Sequence, residues 1–69
     1  AWDEGLALEA AQLLKQGVAD VWQKLSERAE AILIRAALAH THGRRIEAAN
    51  KLGIGRNTIT RKIQELGLE

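Results

Sequence analysis

Glycine 53 divides the C-terminal third of the chain into two short segments with helical periodicity, within the run IEAANKLGIGRNTITRKIQE over residues 46–65. Three apolar residues lie about one turn apart in the first segment: Ile46, Ala49 and Leu52. Three more share one face of the second: Ile59, Ile63 and Leu66. Because glycine tolerates the positive φ that ends a helix, Gly53 predicts a tight turn, and Ile54 offers one apolar side chain to fill it.

Two short helices joined by a tight turn are the layout of a DNA-binding helix-turn-helix. At about 100° per residue, Asn57 and Arg61 point away from the apolar stripe of the second segment. Thr58, Thr60 and Gln64 lie beside them. Bidentate hydrogen bonding of arginine to guanine is the commonest specific contact with DNA. We therefore predict that three residues contact bases: Asn57, Thr58 and Arg61.

Other interpretations of these polar residues remain open at the level of sequence. Asn57 could act only as a helix-start residue, since asparagine favours caps and first turns. Thr58 and Thr60 could each reach a phosphate, a thymine methyl group or only water. For Arg61 the alternatives to a base contact are a phosphate contact and a solvated surface position.

The charge of the chain is divided unevenly along its length. Residues 1–39 contain four basic and six acidic side chains, a net −2, whereas residues 40–69 contain six basic and three acidic side chains, a net +3. A basic segment around a polar helix face favours a polyanionic partner. We predict contacts with the DNA backbone from five cations that flank the short helices and from one hydroxyl: Arg44, Arg45, Lys51, Arg56, Lys62 and Thr60.

Two longer helices are predicted ahead of the basic segment. We place the first over residues 4–16, with Asp3 as its N-cap and Gly17 as its C-terminal stop. We place the second over residues 19–41, because no glycine or proline interrupts this stretch. A later start capped by Ser26 is the alternative.

The remaining chain completes a four-helix plan. Gly43 ends the second helix, and the two short helices follow over residues 45–52 and 56–66. No strand pattern, internal repeat or long linker is present, so we predict an all-α fold in one domain that spans the whole chain. Within it, residues 1–41 are predicted to form dimerisation helices and residues 44–66 the helix-turn-helix.

Apolar residues that begin at Val18 and continue along the second helix recur as a heptad seam instead of the single face of an ordinary surface helix. Its members are Val18, Trp22, Leu25, Ala29, Ile32 and Ala36. A chain of 69 residues buries a limited core, so we expect a second copy of the chain to cover the seam. The predicted dimer interface consists of apolar residues from both helices: Leu6, Leu13, Trp22, Leu25, Ala29, Ile32, Leu33 and Ala36.

Composition argues against several other classes of protein. The chain has no cysteine for a disulfide or a thiolate zinc site, and it has neither a secretory apolar region nor a membrane-length apolar run. His40 and His42, two apart on a helix, point in different directions and make a poor metal site. No nucleophile with a base at hand is found. We expect a cytoplasmic, nucleoid-associated protein that is not an enzyme and needs no cofactor or metal.

The run HTHGRRIEAANKLGIGRNTITRKIQELGLE, residues 40–69, resembles the Fis-type helix-turn-helix at the C-terminal end of the NtrC family of nitrogen-regulation response regulators. The matching pieces are Thr41, Gly43, Ala48-Ala49, Leu52-Gly53, Gly55-Arg56-Asn57-Thr58, Thr60-Arg61-Lys62 and Glu65-Leu66-Gly67. The resemblance is close over about 30 residues. Over residues 1–39 mainly the helix pattern and the helix lengths agree.

The resemblance implies a domain of a larger two-component activator that works with the sigma-54 form of RNA polymerase. In that family the first two helices of each subunit form an intermolecular four-helix bundle, and the last two bind pseudo-palindromic enhancer sites upstream of nitrogen-assimilation genes. Asn57, Arg61 and Lys62 match family positions associated with DNA contact. Arg56 and Thr58 lie on the same recognition helix, as does Thr60.

Two alternatives to a sequence-specific activator domain follow from the same features. An architectural DNA-bending protein of the Fis kind would bind through phosphates and DNA deformability, with weak base preference. A helical oligomerisation module would leave its basic end merely solvated. The ratio of affinities for specific and random DNA at fixed salt distinguishes the bending protein from the activator domain. A protein that does not bind DNA at all would be the oligomerisation module.

Overall fold

Four helices and no strand make up the structure, a computed structural model that describes residues 1 to 69. In chain order they are α1 Trp2–Lys15, α2 Val21–His40, α3 Arg45–Leu52 and α4 Arg56–Glu65. The molecule is elongated, with extents of 39 × 25 × 18 Å. α2 is the longest helix and packs against each of the other three. The predicted all-α fold of four helices is confirmed.

The helix starts differ from prediction at the two N-terminal helices. α1 begins at Trp2 with Ala1 as its N-cap, so the prediction of Asp3 as the cap is wrong. The carbonyl of Ala1 accepts a hydrogen bond from the amide of Gly5 at 3.1 Å, which extends the helix and places Asp3 in its first turn. α2 is continuous from Val21, and its N-cap Asp20 is left-handed at φ 58°. The long version of α2 is confirmed and a start at Ser26 is excluded.

All four helices end in the same hydrogen-bonding pattern, in which the amide just past a left-handed residue bonds back to the last turn. Examples are the amide of Val18 to the carbonyl of Leu13 at 3.1 Å and the amide of Ile54 to the carbonyl of Ala49 at 3.0 Å. Glycine is the left-handed residue after α1, α3 and α4. After α2, His42 takes this conformation at φ 56° and Gly43 continues it at φ 83°.

The core lies where the second half of α2 meets α3 and α4. Six apolar residues are buried there: Ile34, Ala37, Ala48, Ala49, Ile59 and Ile63. Leu52, Ile54 and Leu66 are partly buried and pack against this cluster. The predicted apolar stripe of α4 and the apolar side chain in the turn are therefore confirmed.

The predicted stripe on α3 is partly wrong. Ile46 is 59% exposed, whereas the neighbouring pair Ala48 and Ala49 is fully enclosed. Small methyl side chains let α3 lie close to α2 and α4, and this orientation turns the larger Ile46 outward. The buried face of α3 is thus Ala48, Ala49 and Leu52.

Thr41 holds the end of α2 to the start of the helix-turn-helix. It is the one buried polar residue, and its hydroxyl lies 3.0 Å from the carbonyl of Ala37 and 3.1 Å from the carbonyl of Arg44. The amide of Arg44 also donates to the carbonyl of Thr41 at 3.2 Å. These bonds satisfy groups that would otherwise be buried without partners.

α1 packs only against α2 and contains no fully buried residue. A bidentate ion pair joins the two helices: the guanidinium of Arg28 donates hydrogen bonds to both carboxylate oxygens of Glu9, one of them at 2.6 Å. These hydrogen bonds hold the pKa of Glu9 below its usual value and raise the pKa of Arg28. Most of the apolar surface of α1 remains uncovered.

The turn after α3 generates a first prediction. Gly53 has φ 78°, and a β-carbon added there would meet no atom within 4 Å, so substitution acts through backbone strain alone. We expect Gly53→Ala to lower the free energy of unfolding by about 1 kcal/mol or more in thermal denaturation. Gly5→Ala is the matched control, because Gly5 has the same open space inside α1, and it should raise stability by roughly 0.5–1 kcal/mol. Equal effects of the two variants would contradict the assigned turn.

The Glu9–Arg28 pair predicts a pH dependence. Because the folded-state pKa of Glu9 is depressed, the pair stabilises the fold above the unfolded-state pKa, and this contribution is lost as pH falls through the folded-state pKa. Titration of the Glu9 carboxyl carbon by NMR should give a pKa below the usual glutamate range, and Arg28→Met should return it toward that range. The same titration midpoint in both proteins would show that the ion pair does not form.

Candidate nucleic-acid interface

The outer face of α4 is polar because its inner face is committed to the core. Ile59 and Ile63 are fully buried, and residues on the opposite side of the helix are exposed. Asn57, Arg61 and Gln64 occupy this outer side at intervals of about one turn. These side chains present an amide, a guanidinium and a second amide, which are the groups that recognise base edges in a major groove.

An open polar groove runs between the starts of α3 and α4. Its lining residues are Arg44, Arg45, Ile46, Glu47, Asn50, Arg56, Asn57 and Thr60. No side chain caps the N-terminus of either helix, so the first amides of both are free of side-chain partners. Three arginines and the positive end of two helix dipoles make the groove suited to a phosphate chain.

The cations around this groove differ in their ion pairing. Arg44 lies 3.4 Å from Glu47, and Arg61 lies 3.8 Å from Glu65; both pairs are exposed and span about one turn. Three further cations form no ion pair and are exposed: Arg45, Lys51 and Arg56. The arginines predicted to contact DNA are therefore accessible to it.

Two predicted contact residues, Thr60 and Thr58, lie on opposite flanks of α4, and only Thr60 faces the groove. The hydroxyl of Thr60 is exposed and donates to the carbonyl of Arg56 at 2.8 Å, which leaves its lone pairs available. Thr58 is half-buried in a recess beside Leu52 and Ile54. The placement of Thr58 on the exposed face is thus wrong, because its position turns it toward α2 and the turn.

Lys62 is also turned toward α2. Its Nζ atom lies 3.0 Å from Oε2 of Glu30, and both side chains are only partly exposed. No other ion pair joins α2 to α4. Lys62 therefore has a protein partner in the position where a phosphate contact was predicted.

Sequence reasoning predicted Arg45 of α3 at this groove but missed three other residues of the same helix. Ile46, Glu47 and Asn50 line it, with Asn50 one turn after the other two. The signal was present in the chain, because placing Ala48 and Ala49 on the buried side of α3 turns these three residues outward.

Six of the eight predicted dimer residues line uncovered apolar grooves on α1 and α2; Leu13 and Ala36 do not. An open groove between α1 and α2 is formed by Leu6, Ala10, Leu14, Val21, Trp22, Leu25, Ser26 and Ala29. Trp22 is 87% exposed, and Ile32 and Leu33 continue the surface along α2 with more than half of each side chain exposed. Ala36 is exposed and Leu13 is half-buried.

Two other kinds of site receive no support from the structure. No group of three or more histidine, aspartate or glutamate side chains is placed to bind a metal ion. None of the four helices has the length and apolar character needed to cross a membrane.

Comparison with known proteins identifies relatives of this arrangement. Residues 25–66 match the family described as bacterial regulatory protein, Fis family. The chain is 41% identical over 68 residues to the DNA-binding transcriptional regulator NtrC of Proteus hauseri, and 43% identical over 68 residues to the proteins of that name from Escherichia coli K12 and Salmonella typhimurium LT2.

The aligned region covers 99% of this chain but 14% of each of these relatives. The chain thus corresponds to the C-terminal region of much longer proteins. No solved structure matches the chain significantly.

Proposed function

The chain belongs to the Fis family of bacterial regulatory proteins, and we propose that it is the sequence-specific DNA-binding and dimerisation domain of an NtrC-like transcriptional activator. The observation that carries the proposal is the outer face of α4, where Asn57 and Arg61 stand opposite a fully buried stripe and beside a groove with three arginines. The names of the relatives point to DNA binding instead of catalysis.

The mechanism is placement of two helices on a duplex. α4 enters the major groove with Asn57 and Arg61 toward base edges, while α3 crosses the backbone. Phosphates lie along the groove between the helix starts, where Arg44, Arg45 and Arg56 neutralise them. Lys51 at the end of α3 and the hydroxyl of Thr60 add backbone contacts.

A homodimer would present two copies of α4 to a pseudo-palindromic site. Support comes from the apolar groove between α1 and α2, whose exposed Trp22 and Ile32 are unusual for a monomer surface. Two antiparallel helix pairs packed groove to groove form an intermolecular four-helix bundle, which would enlarge a small core. Each helix pair then keeps its α3–α4 unit at the outer end of α2.

The longer protein that contains this domain would be a two-component activator. By likeness to the NtrC relatives, it would bind enhancer sites upstream of nitrogen-assimilation genes and act with sigma-54 RNA polymerase. Its DNA partner would place it in the bacterial cytoplasm, where the chromosome lies.

An architectural DNA-bending protein of the Fis kind is the second candidate function, favoured by the same family membership and by the arginine-lined groove. Such a protein binds by charge and deformability, so its affinities for a selected and a random duplex would be close. Selection of bound sites from random DNA tests both candidates: a defined pseudo-palindrome supports the activator domain, and only flexible or narrow-groove sequences support the bending protein.

The different positions of Arg61 and Arg44 generate a prediction about base recognition. Arg61 lies at the outer centre of α4, so Arg61→Ala should weaken binding to the selected site by about 1–3 kcal/mol and binding to random DNA by less. Arg44 lies at the groove edge, so Arg44→Ala should weaken both alike and reduce the salt slope by roughly one unit per subunit.

Titration of each variant onto the selected and a scrambled duplex across a salt series separates these effects. Retention of the specific-to-random ratio in Arg61→Ala would mean that α4 does not read bases. The bending protein would then become the better description.

The apolar groove generates a prediction about assembly. Ile32 is 60% exposed in the single chain, so Ile32→Glu should leave the fold of one chain intact but bury an unpaired carboxylate in the dimer. Sedimentation should show a dimer for the native chain and a monomer for Ile32→Glu at high micromolar concentration. Leu8→Glu is the control, because Leu8 is 67% exposed on the opposite side of α1 and should leave the dimer unchanged. A monomeric native chain would exclude the proposed bundle.

A further inference from the structure

α2 is the only helix that contacts both α1 and the α3–α4 pair. Its first half, with Trp22 and Leu25, lines the apolar groove that it shares with α1. Its second half, with Ile34 and Ala37, enters the core with α3 and α4. In the proposed dimer, the distance between the two copies of α4 therefore depends on the angle between α4 and α2.

Glu30 stands between these two halves of α2, and Lys62 of α4 reaches it. The ion pair spans 3.0 Å, and the side chains of Lys62 and Glu30 are 27% and 38% exposed. Oε2 of Glu30, the atom that Lys62 approaches, is shielded from solvent and accepts no hydrogen bond, so Lys62 acts on it as a counter-charge. The pair borders the recess formed by residues such as Leu33, Ile54 and Thr58.

A phosphate contact by Lys62 would have a cost that the other cations do not face. Moving Nζ to a phosphate would take the counter-charge away from the shielded Oε2 of Glu30, which is unfavourable for a carboxylate oxygen that water does not reach. Arg45, Lys51 and Arg56 have no carboxylate to abandon. Lys62 is therefore poorly placed to release a counterion on binding DNA.

The pair adds the one ionic contact to an otherwise apolar junction between α2 and α4. The cluster joining α2 to α4 is entirely aliphatic, and its close packing limits but does not alone define the angle between the two helices. The ion pair at the edge of this cluster would be broken by a rotation of α4 about α2, so it adds to the packing that holds this angle. In a two-fold dimer any change in that rotation moves both recognition helices.

We propose that Lys62 is a positioning residue whose ion pair with Glu30 sets the half-site spacing that the dimer accepts, and that it is not a phosphate ligand. This inference rests on the proposed function. One base pair of spacing displaces a half-site by about 3.4 Å, so a device that limits rotation of α4 selects among spacings.

The test uses the full 69-residue chain and a panel of duplexes. The duplexes carry the half-sites selected from random DNA at the selected spacing, and with one base pair inserted or removed at the centre. The variants are Lys62→Met, which keeps the length of the side chain, Glu30→Gln, which keeps its shape, and the double exchange Glu30→Lys with Lys62→Glu. Lys51→Met is the matched control, because Lys51 is an exposed lysine without an ion pair.

The spacing ratio is the affinity for the selected spacing divided by that for the altered spacings. It should fall by at least about threefold in Lys62→Met and in Glu30→Gln, and recover in the double exchange even if overall affinity is lower. Lys62→Met should keep the native salt slope, whereas Lys51→Met should lower that slope by roughly one unit per subunit and keep the spacing ratio. Thermal denaturation confirms that each protein is folded at the temperature of the titration.

Three results would overturn the inference: a lower salt slope with an unchanged spacing ratio in Lys62→Met, an unchanged spacing ratio in Glu30→Gln, or a native protein that prefers no spacing. The first of these would make Lys62 a phosphate ligand. A native protein without preference for the selected duplex over a scrambled one would instead contradict the proposed function, so the two failures are distinguishable.

Discussion

Close packing of α4 on two alanines determines the rest of the structure. Ile59 and Ile63 are enclosed against Ala48 and Ala49 of α3, and the turn at Gly53 brings the two helices together. Because alanine side chains are small, α3 and α4 approach closely and cannot rotate without opening a void. The outer face of α4 follows from this contact, since every residue opposite the two isoleucines must face away from the core.

The core is small, and the N-terminal end of the molecule, formed by α1 and the start of α2, lies outside it. Only 7 of 69 residues are buried, and none of them lies on α1. α1 is held by one ion pair and by partial contacts along α2, while Trp22 and Ile32 remain in solvent. Burying an apolar surface of this kind against a partner is favourable. The uncovered groove is therefore a consequence of the small core, which leaves these apolar side chains in solvent.

Periodicity and glycine placement were enough to predict the helix-turn-helix. The bounds of α3 agree at both ends with the predicted 45–52, and the end of α4 differs by one residue. Local signals sufficed there because the glycine that ends a helix and the spacing of its apolar residues both lie within a few neighbouring positions. The family match and the likeness to NtrC relatives confirm the resemblance found in residues 40–69.

The errors arose where tertiary contacts decide between local possibilities. The size and apolar character of Ile46 predict a core position, yet the smaller Ala48 and Ala49 give the closer packing. Thr58 was assigned to the outer face by its neighbours, although its position on the helix turns it toward α2. The base and phosphate contacts stay predictions.

The Glu30–Lys62 pair could not have been predicted from the sequence, because 31 residues separate its partners and no periodicity relates them. It also differs in kind from the other ion pairs near the groove.

Arg44–Glu47 and Arg61–Glu65 are exposed pairs within about one turn, and such pairs typically contribute about 0–1 kcal/mol. Their arginines can therefore exchange a carboxylate for a phosphate or a base at little cost. Lys62 faces a shielded oxygen on another helix, so breaking its pair would remove a contact between α2 and α4. All three cations carry the same charge. What distinguishes Arg44 and Arg61, which are available to DNA, from Lys62 is that their partner carboxylates are accessible to solvent.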